Sequence, residues 1–205
     1  MRRQNVIERT HTLESPVALR AEAGVRRVPN AVLGVMIFVA AEVMFFAALI
    51  SAQTIARSTA LGGMWPPPGQ PRLPVERTAF NTAVLLLSGV LLWLANRSMN
   101  SMPRLARRYL AGAVGLGIAF VSLQGVEWVA LLREGLTLRS SSHGAFFYLI
   151  VGAHALHAVA AIVALAWVYF LMRRGKQMPE AFAATQVFWY FVVLVWPVIY
   201  LRVYF

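Results

Sequence analysis

Glu42 stands alone in an apolar stretch: between Arg27 and Arg57 no other residue carries a charge. An ionisable group at bilayer depth costs about 2.5–3.5 kcal/mol or more unless it is paired, protonated or hydrated, so it marks a functional position. His154 and His157 are three residues apart and share a helix face. Gly152, Ala153, Ala155 and Ala158 around them are small enough to admit a neighbouring helix. A carboxyl group set against an imidazole can hold or relay a proton, and at least one of these histidines is expected to face Glu42. For either histidine the alternative is a hydrogen bond to a Ser, a Thr or a backbone carbonyl.

Gln124 and Glu127 form a second buried polar pair on one helix face, followed by Trp128. Glu127 falls in the outer part of the membrane, where water, a headgroup, Arg133 or Arg139 could neutralise it. Structural pairing is the simpler reading of this pair and proton transfer the sharper one. Two histidines and a carboxylate could hold zinc or iron, and two opposed histidines could hold a haem. Of the four His, however, His11 lies in the N-terminal segment and His143 at a helix entrance, which leaves one same-face pair and one nearby carboxylate. No metal or cofactor is therefore expected in this chain. With no Cys there is no thiolate site either. A stand-alone enzyme is disfavoured too, because no nucleophile, base and orienting group can be placed together.

The elements that position these residues follow from hydropathy. Hydrophobic residues make up 59% of 205, the mean hydropathy is +0.63, and several runs are long enough to cross the roughly 30 Å hydrocarbon core. Only helices satisfy the backbone of an open chain in lipid, so the fold is expected to be all-α: a polytopic transmembrane bundle of five helices. The spans run roughly Ala31 to Ala56, Thr78 to Asn96, Leu110 to Leu132, Gly144 to Met172 and Ala181 to Tyr204. Residues 1–30 are polar and lack an apolar signal-peptide core, so they read as a cytoplasmic tail ahead of a membrane domain over 31–205. At 1.5 Å per residue Glu42 lies roughly 16 Å deep from one side and the two histidines roughly 15–20 Å from the other, at one level.

Charge is distributed between the spans. The net +11 comes from 18 Arg and 1 Lys against 8 Glu. In a soluble chain this would suggest nucleic acid, but here the cations lie in the connections, where lipid headgroups and topology account for them. Thirteen cations fall on one side, in the tail and around residues 97–108 and 173–176; the other six are Arg57, Arg72, Arg77, Arg133, Arg139 and Arg202. The connection from Met64 to Pro74 is set apart by Trp65 and five prolines, which make it stiff and unable to continue a helix. Trp65, Pro66 and Pro67 read either as a rigid interfacial cap or as a docking surface for a partner subunit. Asn81, Thr82 and Ser88 read as glue between helices.

These motifs together resemble a known family. Ala41-Glu42-Val43-Met44-Phe45-Phe46, Gly63-Met64-Trp65-Pro66-Pro67-Pro68-Gly69 and Phe80-Asn81-Thr82 through Ser88-Gly89-Val90 are similar to subunit III of haem-copper terminal oxidases. The likeness continues in order through Leu123-Gln124-Gly125-Val126-Glu127-Trp128, Gly152-Ala153-His154-Ala155-Leu156-His157 and Trp189-Tyr190-Phe191-Val192 to Trp196. The resemblance implies a subunit without haem or copper of its own, packed against a catalytic subunit I that carries them. It also implies bound phospholipid in a cleft, support for proton uptake, and a bacterial inner membrane. Glu42 would correspond to the family's buried glutamate near that cleft.

Two features depart from the family pattern. The last helix has Tyr190 and Val193 where the family pattern has His and Asp, and the chain has five spans where many members have seven. An accessory subunit of a quinol oxidase or nitric oxide reductase is the alternative within the family. An autonomous proton-coupled transporter is the alternative outside it, although no internal repeat is visible.

The thirteen-to-six asymmetry predicts the N-terminus inside and Phe205 outside. A periplasm-dependent reporter fused after Phe205 is expected to be active; activity of a cytoplasm-dependent reporter there would mean that a span has been miscounted.

Overall fold

The computed structural model describes residues 28–60, 65–176 and 178–205. The tail before residue 28, together with Gly63 and Met64 of the proline-rich connection, lies outside them. Among the described residues the fold is all-helical, with five helices long and apolar enough to cross a membrane. They are α1 (Asn30–Ser58), α2 (Val75–Ser98), α3 (Pro103–Arg133), α4 (Ser142–Arg173) and α5 (Pro179–Val203). Each extends beyond its apolar run at one end or both. The clearest case is α3, which starts at Pro103 rather than near Leu110 because its polar first turns, including Arg104, Arg107 and Arg108, continue the helix out of the hydrocarbon.

Local chemistry explains where the helices begin and end. Pro103 and Pro179 open α3 and α5, where a missing N–H costs nothing and the ring's fixed φ suits a helix. Ser141 caps α4, its hydroxyl accepting from Gly144 N at 3.1 Å. Helices α3 and α4 end alike. Gly135 (φ 90°) and Gly175 (φ 75°) take the left-handed conformation that lets the chain fold back on the last turn. In the first, Leu136 N donates to Leu131 O at 3.0 Å and Gly135 N to Leu132 O at 3.2 Å. In the second, Lys176 N donates to Leu171 O at 3.1 Å and Gly175 N to Met172 O at 3.2 Å.

Packing divides the bundle unequally. Helices α2 and α3 lie against each other most extensively, and α5 touches α1, α2 and α4. Trp189 and Trp196 of α5 are fully buried, with Phe120, Phe147, Leu110 and Leu165 among the large side chains around the core. Close approach is allowed by glycine. A Cβ on Gly117 would stand 2.8 Å from the Trp189 ring and 3.1 Å from Ile162, so α3, α4 and α5 meet at this point. In contrast α1 is peripheral: only Phe46 and Gln53 are buried along its 29 residues.

The polar residues of α2 join helices. Ser88 Oγ donates to Ala113 O at 2.8 Å, Asn81 Nδ2 to Phe120 O at 3.3 Å, and Thr82 Oγ1 accepts from Trp196 Nε1 at 2.9 Å. From Trp65 onward the proline-rich connection packs on its own bundle. The Trp65 ring stands edge-on to His143 at 5.3 Å, and Ser140 Oγ donates to Gln70 Oε1 at 3.1 Å.

Overpacking at the three-helix contact is expected to cost about 1–3 kcal/mol. Gly117→Ala should therefore lower the thermal midpoint of the detergent-purified chain. Gly125→Ala, where a Cβ meets nothing within 4 Å, should leave the midpoint unchanged or raise it slightly.

Candidate functional site: a buried carboxyl and imidazole pair

Of the two imidazoles on α4, His157 meets Glu42. Its Nε2 lies 3.1 Å from Glu42 Oε2, with the side chains 14% and 19% exposed respectively. The other ring nitrogen, Nδ1, lies 2.7 Å from the backbone carbonyl of Ala153, one turn earlier on the same helix. A carbonyl oxygen can only accept, so Nδ1 carries a proton. The contact to Glu42 then holds one more proton, on either the carboxyl or Nε2. Both descriptions are neutral overall, either acid and imidazole or carboxylate and imidazolium. A neutral unit is what hydrocarbon tolerates.

Aromatic side chains surround the His157 ring. Phe38 is stacked on the His157 ring at 6.3 Å, while Phe46, Phe188 and Phe191 present edges at 5.6, 6.2 and 6.1 Å. Two of these rings come from α1 and two from α5, so three helices build one site. These rings shield the imidazole from water, and a lower local dielectric strengthens its interaction with the carboxyl group.

His154 occupies a different position. It is 1% exposed, its ring lies 4.8 Å from that of Trp196, and it meets Phe120 edge-on at 6.1 Å. Its Nε2 is buried without a partner. A three-residue step rotates a side chain by about 60° around a helix. That is enough to send His157 toward α1 and His154 into the core.

Glu127 and Gln124 belong to a separate network toward the other ends of α2 and α5. Glu127 Oε2 accepts from Thr78 Oγ1 at 2.9 Å and from Gln124 Nε2 at 3.1 Å. Gln124 Nε2 also approaches the Tyr204 hydroxyl at 3.2 Å, and Gln124 Oε1 accepts from Asn81 Nδ2 at 3.2 Å. Hydroxyl and amide groups, rather than Arg133 or Arg139, are thus the partners of Glu127. Thr78 and Tyr204 are the members that sequence reasoning missed. They sit at helix ends and 126 positions apart in the sequence, and no local spacing connects them. Trp65, Pro66 and Pro67 are partly buried and line or flank a cavity next to His143 rather than either polar site.

The geometry defines a class: a five-helix membrane protein with a neutral carboxyl and imidazole pair between α1 and α4. Among the described residues no group of three His, Cys, Asp or Glu side chains could hold a metal ion. Residues 20–205 match the family described as cytochrome c oxidase subunit III. The chain is 32% identical over 182 residues to "Probable cytochrome c oxidase subunit 3" of Nocardia farcinica, covering 86% of this chain and 89% of the relative. It is 31% identical to the protein of the same name from Mycobacterium leprae, with the same shares covered. It is also 32% identical over 181 residues to cytochrome c oxidase subunit 3 of Pyricularia grisea, covering 84% of this chain but 66% of that longer protein. The chain therefore belongs to the cytochrome c oxidase subunit III family.

Removing His157 strands a carboxyl group in an apolar setting, at a cost of about 2–3 kcal/mol. His157→Ala should destabilise the purified chain accordingly, and Glu42→Gln, which keeps shape and hydrogen-bonding capacity, should cost less. In thermal or denaturant unfolding the two are expected to be non-additive by more than about 0.5 kcal/mol, with His154→Ala and Glu42→Gln additive within that margin. Additivity for both histidines would contradict the pairing.

Proposed function

We propose that this chain is the non-catalytic subunit III of a proton-pumping terminal oxidase in a bacterial inner membrane. In this role it packs against subunit I, where electrons from cytochrome c reduce oxygen. Haems and copper belong to partner subunits in this reading, and the buried His and Glu groups of this chain suit proton chemistry rather than metal ligation.

The observation that carries the proposal is the Glu42–His157 contact at 3.1 Å, inside a chain of this family. A carboxyl group and an imidazole in contact can share a proton and pass it between them. This suits a group that supports proton uptake by a neighbouring subunit and does not suit a permanent ion pair. The pair lies beside the thinly packed α1, whose outward face carries Met36, Ile37, Val43 and Met44, each about half exposed or more. That face suits acyl chains, and we assign the family's lipid cleft to the side of α1 next to Glu42. Glu127 and Gln124 serve in this reading as a structural network that binds α2, α3 and α5 near the outer interface.

A quinol oxidase or nitric oxide reductase complex remains the second reading because of α5. Val193 fills the position where the family pattern has Asp, and it packs with Cγ1 3.1 Å from the place of a Gly89 Cβ. Tyr190, in place of the pattern's His, accepts a hydrogen bond from Gln186 Nε2 at 2.9 Å. A charged contact is thereby exchanged for apolar packing and a local hydrogen bond.

Purification of the tagged chain in mild detergent tests the proposal. Polypeptides with haem absorption and oxygen-reducing activity are expected to co-purify, while the chain separated from them should have no visible absorption. A haem complex that reduces oxygen with quinol and not with cytochrome c, or that reduces nitric oxide and not oxygen, would select the second reading, and a chain that purifies with no haem protein would overturn both.

A further inference from the structure

A cavity of about 300 Å³ opens where α1 and α5 end and α4 begins. Arg57, in the last turn of α1, and Arg72, in the connection to α2, both line it and are both exposed. Between them and the bundle stands His143, the second residue of α4, which is 3% exposed. Both of its ring nitrogens are buried without a partner. Trp65 and Pro66 form one wall, with the Trp65 ring edge-on to the imidazole. Phe205 lines the cavity too, and among the described residues no carboxylate side chain comes within ion-pair distance of either guanidinium.

Two guanidinium groups and an imidazole that line one cavity without a counter-charge call for an anion. A buried ring with two unpartnered nitrogens needs a ligand or water to satisfy it. One guanidinium fork already engages both oxygens of a carboxylate. Two forks plus an imidazole N–H match the larger number of oxygens on a phosphate group. The volume also exceeds by roughly tenfold the space of one water, so there is room for a phosphate with its ester substituents. The site lies at the ends of spanning helices, where the membrane interface places headgroups.

We propose that this cavity binds a phosphate group, held by Arg57, Arg72 and His143. The site is distinct from the Glu42–His157 pair and does not depend on the role assigned to that pair. The phosphate belongs either to a phospholipid headgroup or to free orthophosphate, and the two sources are separable by measurement.

The test compares the complex that co-purifies with the tagged wild-type chain with two variants, Arg57→Gln/Arg72→Gln and His143→Phe. The double variant alters exposed residues only, and His143→Phe keeps a ring against Trp65, so two independent changes report on one site. Bound phospholipid is counted by native mass spectrometry, and orthophosphate binding is measured with radiolabelled phosphate. Affinity is expected to fall roughly tenfold or more for each guanidinium removed. Loss of one retained phospholipid in both variants assigns the phosphate to a headgroup, and loss of orthophosphate binding in both assigns it to the free ion. Unchanged lipid count and unchanged orthophosphate binding in the variants would overturn the proposal.

Discussion

A carboxyl group cannot sit unpartnered in hydrocarbon, and the position of α1 depends on that constraint. This helix fully buries only Phe46 and Gln53, and it packs mainly on α5, with Val39, Leu49 and Ile50 half-buried against the core. Lipid tails are as apolar as its side chains, so no hydrophobic force presses it against the bundle. Glu42 changes the balance. An interhelical hydrogen bond in a membrane contributes only about 0.6 kcal/mol on average, whereas leaving the carboxyl group unpaired costs several times more. The pair with His157 therefore acts less as an adhesive than as a penalty on every other orientation of α1. The Phe38, Phe46, Phe188 and Phe191 rings close around the orientation that remains.

The rest of the bundle is held differently. Helices α2, α3 and α5 combine close packing at Gly89 and Gly117 with hydrogen bonds from Asn81, Thr82, Ser88 and Gln124. Most of these bonds connect neutral groups and belong to a core with fully buried tryptophans. Membership of the subunit III family thus coincides with a division of labour inside one chain. Helix α1, the most exposed of the five, brings the Glu42 carboxyl group to His157 at the edge of the bundle.

Much of this was legible in the sequence because a bilayer leaves few options. Apolar run length alone yields five helices and an all-α fold, and the small residues around His154 and His157 mark α4 as a helix that others approach. Helix ends were less legible. Arg104, Arg107 and Arg108 lie on helical backbone outside the apolar run, where hydropathy carries no signal but the Pro103 start does. The choice between His154 and His157 depends on a rotation of about 60°, finer than residue spacing can settle without the neighbouring helices in place. The links from Glu127 directly to Thr78, and through Gln124 to Tyr204, depend on tertiary contact between helix ends, for which neither composition nor periodicity holds information. The unsatisfied nitrogens of His143 likewise emerge only when α1, α4 and α5 are assembled.

The central claim, that Glu42 and His157 form a neutral unit with Nδ1 protonated and one further proton in the contact, is open to nitrogen-15 NMR. The measurement uses the chain labelled at histidine in lipid bilayers, with His157 assigned by its loss in His157→Gln. A proton on Nδ1 is expected, along with an Nε2 signal that moves on Glu42→Gln. An unprotonated Nδ1, or an Nε2 signal indifferent to Glu42→Gln, would contradict it.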